Sequence, residues 1–355
     1  MAVPALAPEW IPEADGVFRG GGVKGLALSG ALCGFAEHPT KPITTWKNVA
    51  GASAGAIIAC YLATGHTPDQ MLDLMKKTNF GSFADFPLRN KFLGGANLIY
   101  NHGMARGNAF ERWFDDVLEG ATFSSVRKPV KNGSAPEWSL KLIAVDVTTR
   151  ALLVLPDDLV NYKWPKKSTL IDPDEFKISR AARMSMSIPY FFKPIELEHK
   201  DGHKTLIVDG GTLSNFPVWL FDCDPAVTGH PPLRPTFGFT LKGGRGLGGG
   251  MSRIHRFAPW GIRFGSDIFH TAQEAWDTRF VSHSTRVRTL AVDAADVATT
   301  EFDLSPARQE LLIANGRQAA KDFLNEFELS AYMNTFHATL ETVPAGGGPG
   351  SPRPA

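Results

Sequence analysis

Short apolar runs alternate with longer helix-forming stretches along most of the chain. Gly16–Phe18 reads as a short strand and Leu26–Ala36 as the helix after it. A second strand ends in Asn48-Val49-Ala50, and Ala54–Ala63 reads as helix. Thr67-Pro68-Asp69-Gln70 opens the next helix, with capping-box spacing and Pro at the first helical position. Asn108–Leu118 has the period of an amphipathic helix and is closed by Gly120. Leu140–Thr148 and Ala151–Leu155 are β-rich, Asp174–Met186 reads as helix, and Leu206–Val208 as a strand after a hairpin turn at Asp201-Gly202. Phe237–Leu241 and Val287–Val292 read as strands around a helix near Ser266–Phe280, and Ser305–Phe327 as a closing helix.

This alternation predicts an α/β fold of three layers, α/β/α, around a mostly parallel central sheet. Ligands in such sheets gather at the carboxyl ends of the strands. Two glycine-rich turns fall there: Gly20-Gly21-Gly22-Val23-Lys24-Gly25 and Gly51-Ala52-Ser53-Ala54-Gly55.

Composition narrows the class. The chain has 355 residues, 43% of them hydrophobic, enough for one large domain. Lys and Arg number 37 against 36 Asp and Glu, so nothing in the charge calls for nucleic acid. Cys33, Cys60 and Cys223 are odd in number and lack C-x-x-C spacing; free thiols in a reducing compartment are expected. The first eight residues lack the basic and apolar regions of a signal peptide. No run reaches the roughly 18 apolar residues of a membrane span. The expectation is a cytoplasmic protein that touches membranes peripherally. Val343–Ala355 reads as a tail, Gly243–Gly250 as a flexible segment and Pro225–Pro235 as a surface connection. The expected organisation is an extension over residues 1–14, one catalytic domain over 15–330 and a C-terminal segment over 331–355, tail-like from about 343.

A G-x-S-x-G turn keeps small residues beside a serine because the backbone must bend sharply from strand to helix. Ser53 then stands at a helix N-terminus, where the dipole favours an alkoxide. An N-cap serine in an ordinary turn fits the same residues. The Gly20–Gly25 run offers backbone N–H groups to an anion. It also satisfies a dinucleotide fingerprint loosely, with Glu37 as the one candidate for the acidic ribose ligand. Lys24 fits either a charge-balancing or a solvated role.

Ser53 requires a base. His38, His66 and His102 fall in loops, His199 and His203 flank a hairpin turn, and His230, His255, His270 and His283 come late. Asp209, in Leu206-Ile207-Val208-Asp209-Gly210-Gly211, ends an apolar strand before two glycines, and Asp146 is its rival on another strand. Two aromatic groups suggest lipid contact. Phe80, Phe83, Phe86, Leu88, Phe92 and Leu93 crowd a Gly-rich stretch suited to a lid or to a satellite core. Phe257, Trp260, Phe264 and Phe269 lie among arginines and suit a membrane surface or a core equally.

The two glycine turns, then Asp209-Gly210-Gly211, in this order, resemble the patatin-like phospholipases. Arg183-Met184-Ser185-Met186-Ser187-Ile188-Pro189 is similar to the family's segment before the acid. The resemblance covers roughly residues 15 to 220. It implies a Ser53–Asp209 dyad without histidine, with Ser53 as nucleophile and Asp209 as proton acceptor. Gly20, Gly21 and Gly22 would form the oxyanion hole; Gly25, Gly51, Gly55, Gly210 and Gly211 are motif positions. It implies acyl-lipid substrates, phospholipids above all, and no metal or other cofactor, and it names no activator. Two other readings stay open on the residues: a carboxylesterase with a Ser-Asp-His triad, and a non-hydrolytic nucleotide-binding module.

Overall fold

The computed structural model describes residues 10–78, 80–83, 103–129, 137–222, 233–242, 287–297, 301 and 304–333. β1 (Glu13–Phe18) leads through a 3-10 turn at Gly22–Lys24 into α1 (Gly25–Ala36). β2 (Thr45–Ala52) leads into α2 (Ala54–Ala63), and α3 (Pro68–Lys77) follows. β3 (Gly103–Ala105), α4 (Asn108–Val117), β4 (Leu140–Asp146), β5 (Ala151–Leu155) and β6 (Tyr162–Lys163) come next. Then come α5 (Ile178–Ser185), β7 (Tyr190–Phe192), β8 (Ile195–His199), β9 (Lys204–Asp209), β10 (Thr236–Lys242), β11 (Thr289–Asp293) and α6 (Pro306–Glu326).

The fold is mixed α/β, with a central sheet flanked by helices. Its strand order is β11-β10-β1-β2-β4-β9-β8-β6, with β5 also paired to β4. From β11 to β4 every pair is parallel. β5, β9, β8 and β6 are joined antiparallel. Two of the antiparallel pairs, β4–β5 and β8–β9, join strands close in the chain, the second through the turn at Gly202 (φ +88°).

One register detail organises the site. Ala52, the last residue of β2, pairs with Ile143 of β4. Asp209, the last residue of β9, pairs with the next residue, Ala144. β5 occupies one edge of β4 along Leu142–Asp146, so β2 and β9 share the other edge. Running in opposite directions, they meet there end to end.

The core lies largely on one face. Phe35 of α1 packs on Trp46, Phe237 and Phe239 of the sheet and on Phe323 of α6. α1 and α6 approach closely because glycines stand at the crossing. A Cβ on Gly30 would lie 2.4 Å from the Ile313 carbonyl oxygen, and one on Gly316 would lie 2.1 Å from that of Ala27. On the opposite face Val17 and Ala50 pack against Phe216 and Val218. Thr67 and Gln70 form the expected capping box at α3.

One helix is shorter than its sequence suggests. The expected helix over 174–186 begins only at Ile178. The carbonyls of Asp174 and Phe176 are spent on the N–H groups of Ser124 and Phe123. The Asp174 carboxylate accepts from Arg127 and from Trp138 Nε1. These tertiary bonds replace the first helical turn.

Cys33 and Cys60 are buried free thiols. Phe83 is buried against Phe110 and Trp113, which places it in the core. Phe86, Leu88, Phe92, Leu93, the 243–250 segment, the Phe257–Phe269 group, the helix near 266–280, Cys223 and the 343–355 tail lie outside the described residues.

Candidate active site

The Gly51–Gly55 turn brings Ser53 to the sheet's carboxyl edge in a backbone conformation that L-residues rarely adopt, φ +54° and ψ −126°. Both flanking glycines are sterically required. A Cβ on Gly51 would meet the Gly55 carbonyl oxygen at 2.3 Å, and one on Gly55 would meet that of Phe18 at 2.1 Å. Ser53 occupies the N-cap position of α2, yet its side chain makes no capping bond. That removes the ordinary structural reason for a serine here and leaves its hydroxyl available. The Ser53 N–H donates to Ser185 Oγ at 3.1 Å, and Ser185 Oγ donates to the Ile143 carbonyl at 2.6 Å.

Asp209 is 2% exposed. Its Oδ1 accepts the Gly211 N–H at 2.7 Å, and its backbone N–H donates to the Ser187 carbonyl at 3.0 Å. Gly210 lies against β4, where a Cβ would sit 2.2 Å from the Ile143 carbonyl oxygen. Oδ2 is buried and has no hydrogen-bond partner among the described residues. Burial pushes the Asp209 carboxyl from 3.8 up to about 7; the Ser53 hydroxyl and the Gly211 N–H pull it part of the way back. Ser53 is thus near enough to influence the titration of Asp209 without completing a well-aligned bond to Oδ2.

The first glycine turn lies beside this pair. A Cβ on Gly20 would fall 2.9 Å from the Ser53 Cβ and 2.3 Å from Asn215 Oδ1. The Gly20 N–H donates to the Asn215 carbonyl at 3.2 Å. The N–H groups of Gly21 and Gly22 have no partner among the described residues. Gly22 takes φ +59°, which suits glycine, and the Gly25 N–H closes the 3-10 turn on the carbonyls of Gly22 and Val23. Lys24 is buried, not solvated.

The rival carboxylate is committed elsewhere. Asp146 is wholly buried and accepts from the N–H groups of Thr148 and Thr149 and from the Tyr162 hydroxyl. Among the described residues no histidine bonds Ser53 or Asp209. His38 bonds Asn325, His66 stacks on Tyr61, and His199 faces Asp201. His102, His230, His255, His270 and His283 lie outside the described residues. Glu37, the candidate ribose ligand, pairs with Arg317. Among the described residues no cluster of His, Cys, Asp and Glu could hold a metal, and no helix is long and apolar enough to cross a membrane.

Sequence reasoning passed over Ser185 and Asn215. Ser185 lies inside a segment noted only for its resemblance, and a serine in a helix carries no signal of its own. Arg183 was equally silent. It is 1% exposed and donates to Ser187 Oγ at 2.6 Å and to the carbonyls of Arg106 and Lys193 at 2.6 and 2.8 Å.

The chain belongs to the patatin-like phospholipase family, whose model matches residues 16–222. This places it among lipid hydrolases. The chain is 34% identical to the uncharacterized protein YqhO of Bacillus subtilis (strain 168) over 318 residues, which are 88% of this chain and 98% of the relative. It is 27% identical to the uncharacterized protein R571 of Acanthamoeba polyphaga mimivirus over 205 residues, 58% of this chain and 60% of that one. Among solved structures, VipD from Legionella pneumophila is similar with a TM-score of 0.46 at 14% identity, over 90% of this chain and 67% of VipD.

Proposed function

We propose that this lipid hydrolase is of the phospholipase A or lysophospholipase type. It cleaves carboxylic ester bonds of glycerophospholipids through a Ser53–Asp209 dyad and an acyl-enzyme. One observation carries the reading: at the strand end beside the Ser53 turn stands a buried carboxyl, raised to about 7, with one oxygen unpartnered among the described residues.

An ordinary aspartate is a poor base for an alcohol, and burial narrows the gap. Catalytic hydrogen bonds are often long in the empty enzyme and align only when substrate fills the site. As Ser53 Oγ attacks the ester carbonyl carbon, its proton passes to Asp209 Oδ2. The carbonyl oxygen becomes an oxyanion. Gly21 and Gly22 are the donors we assign to it, since the Gly20 N–H is engaged by Asn215. Each such donor is worth about 3–4 kcal/mol in comparable sites. The tetrahedral adduct collapses, the glycerol-side C–O bond breaks, and the leaving alkoxide takes the proton back from Asp209. Water then attacks the acyl-enzyme with Asp209 again accepting a proton, and the fatty acid leaves as Ser53 regains its own.

The substrate class implies that the enzyme works peripherally at a membrane surface, and the free thiols of Cys33 and Cys60 fit a reducing cytoplasm. We assign catalysis to one domain over residues 15–330. The test is covalent labelling by a fluorophosphonate alongside hydrolysis of phospholipid vesicles. Wild-type protein is expected to label and turn over. Ser53→Ala should not label and should lose at least about 10³-fold in turnover, with an unchanged circular dichroism spectrum. A folded Ser53→Ala variant that still hydrolyses lipid would refute the dyad.

A further inference from the structure

The segment from Arg183 to Ser187 touches both members of the proposed pair, and it does so through different atoms. Ser185, fully buried, accepts the Ser53 N–H and donates to the Ile143 carbonyl. Ile143 pairs with Ala52 on β2, and its carbonyl faces Gly210 immediately after Asp209. One hydroxyl therefore ties the Ser53 turn to the strand position where β2 and β9 meet. Two residues on, the Ser187 carbonyl accepts the Asp209 N–H. Ser187 is itself fixed, since its hydroxyl donates to the Arg183 carbonyl at 2.9 Å and accepts from Arg183 Nη1 at 2.6 Å. Arg183 is anchored on the far side by the carbonyls of Arg106 and Lys193 and stacks over the Phe192 ring at 4.9 Å. Gly107, at φ +74°, leaves room for it: a Cβ there would sit 2.1 Å from Arg183 Nε.

We infer that Ser185 is a positioning residue for the ester hydrolysis: its hydroxyl holds the Ser53 backbone in the left-handed turn and so aims Oγ at Asp209. This rests on the dyad reading above. The hydroxyl is the only part of Ser185 that the role needs. Its N–H acceptor and its O–H donor act at once, which no apolar side chain reproduces. Removing it leaves the buried Ser53 N–H without this acceptor and takes one donor from the Ile143 carbonyl, and the turn is free to relax. Ser185 makes no contact that requires substrate, so its loss falls on the chemical step and not on binding.

The experiment compares full-length wild type with Ser185→Ala, Ser185→Thr and Ser53→Ala, at a temperature where all are folded by circular dichroism. The readouts are the second-order rate of fluorophosphonate labelling, and kcat and KM on a p-nitrophenyl ester. Ser185→Ala is expected to lower kcat and labelling roughly 10- to 100-fold with KM within about twofold, the scale of a small misplacement of a reacting group. Ser185→Thr, which keeps the hydroxyl, is expected to recover most of the labelling rate. A Ser185→Ala protein with wild-type kcat and labelling overturns the role of Ser185 while leaving Ser53 as nucleophile. So does a folded Thr variant as slow as the Ala one. Activity in Ser53→Ala would instead remove the dyad beneath both.

Discussion

As the proposed base, Asp209 would set the pH behaviour. Its carboxyl ordinarily titrates near 3.8 and is held at about 7 by burial. Acting as base, it must be ionised, so kcat/KM should rise about tenfold per pH unit below 7 and level off above it. A profile flat from pH 5 to 8 would speak against Asp209 as the base. Stability should run the other way. A carboxyl whose folded pKa is raised binds its proton more tightly in the native state, so the contribution is present below about pH 4 and is lost as pH rises through 7. Asp209→Asn removes the cost of burying the charge. Its advantage in denaturant unfolding should be absent near pH 4, grow towards pH 7 and amount to a few kcal/mol at most, while turnover is lost. Ser53 contributes strain of its own: a non-glycine residue at φ +54° costs of order 1–3 kcal/mol and persists only where neighbours hold it.

Elements here are placed by what small residues permit. Gly55 lets α2 start against the end of β1, and Gly51 lets the same helix fold back over the end of β2. Gly55→Ala must displace the Phe18 carbonyl or the helix, so it should cost roughly 1–3 kcal/mol in chemical denaturation and slow fluorophosphonate labelling in the folded protein. Labelling at the wild-type rate would mean that the turn absorbs a methyl without moving Ser53. Gly51 is legible in the sequence because its requirement, room for the Gly55 carbonyl, is local, whereas the Phe18 carbonyl that Gly55 makes room for is brought there by the fold. The start of α5 is not legible either. Residues 174–177 have no local signal against helix, and their backbone is taken by Phe123 and Ser124, about 50 residues away in the chain. Of the antiparallel pairs, β8 with β9 is legible from the turn at Asp201-Gly202, but β4 with β9 and β6 with β8 are not, because those partners lie far apart in the chain and no local pattern couples them.

For the whole molecule, the proposed chemistry draws its charge stabilisation from backbone donors and one carboxyl. Full turnover is therefore expected after dialysis against EDTA. A loss restored by a divalent cation would mean that a metal takes part in the reaction. The two glycine turns and the Asp209 strand end come from three distant parts of the chain, and their convergence follows from the order of β1, β2, β4 and β9 in one sheet.

The amino-acid sequence by itself determined the strand-to-helix turns, the caps and the residues able to carry an acyl transfer, because each depends on backbone angles and steric room within a few positions. Only the tertiary structure distinguishes the surroundings of the two carboxylates. Asp146 is consumed by two amides and a phenol, while Asp209 is set one residue along β4 from the end of the serine's strand. Hydrogen-bond partners, burial and the resulting proton affinity are properties of neighbours brought from afar, and no local pattern encodes them.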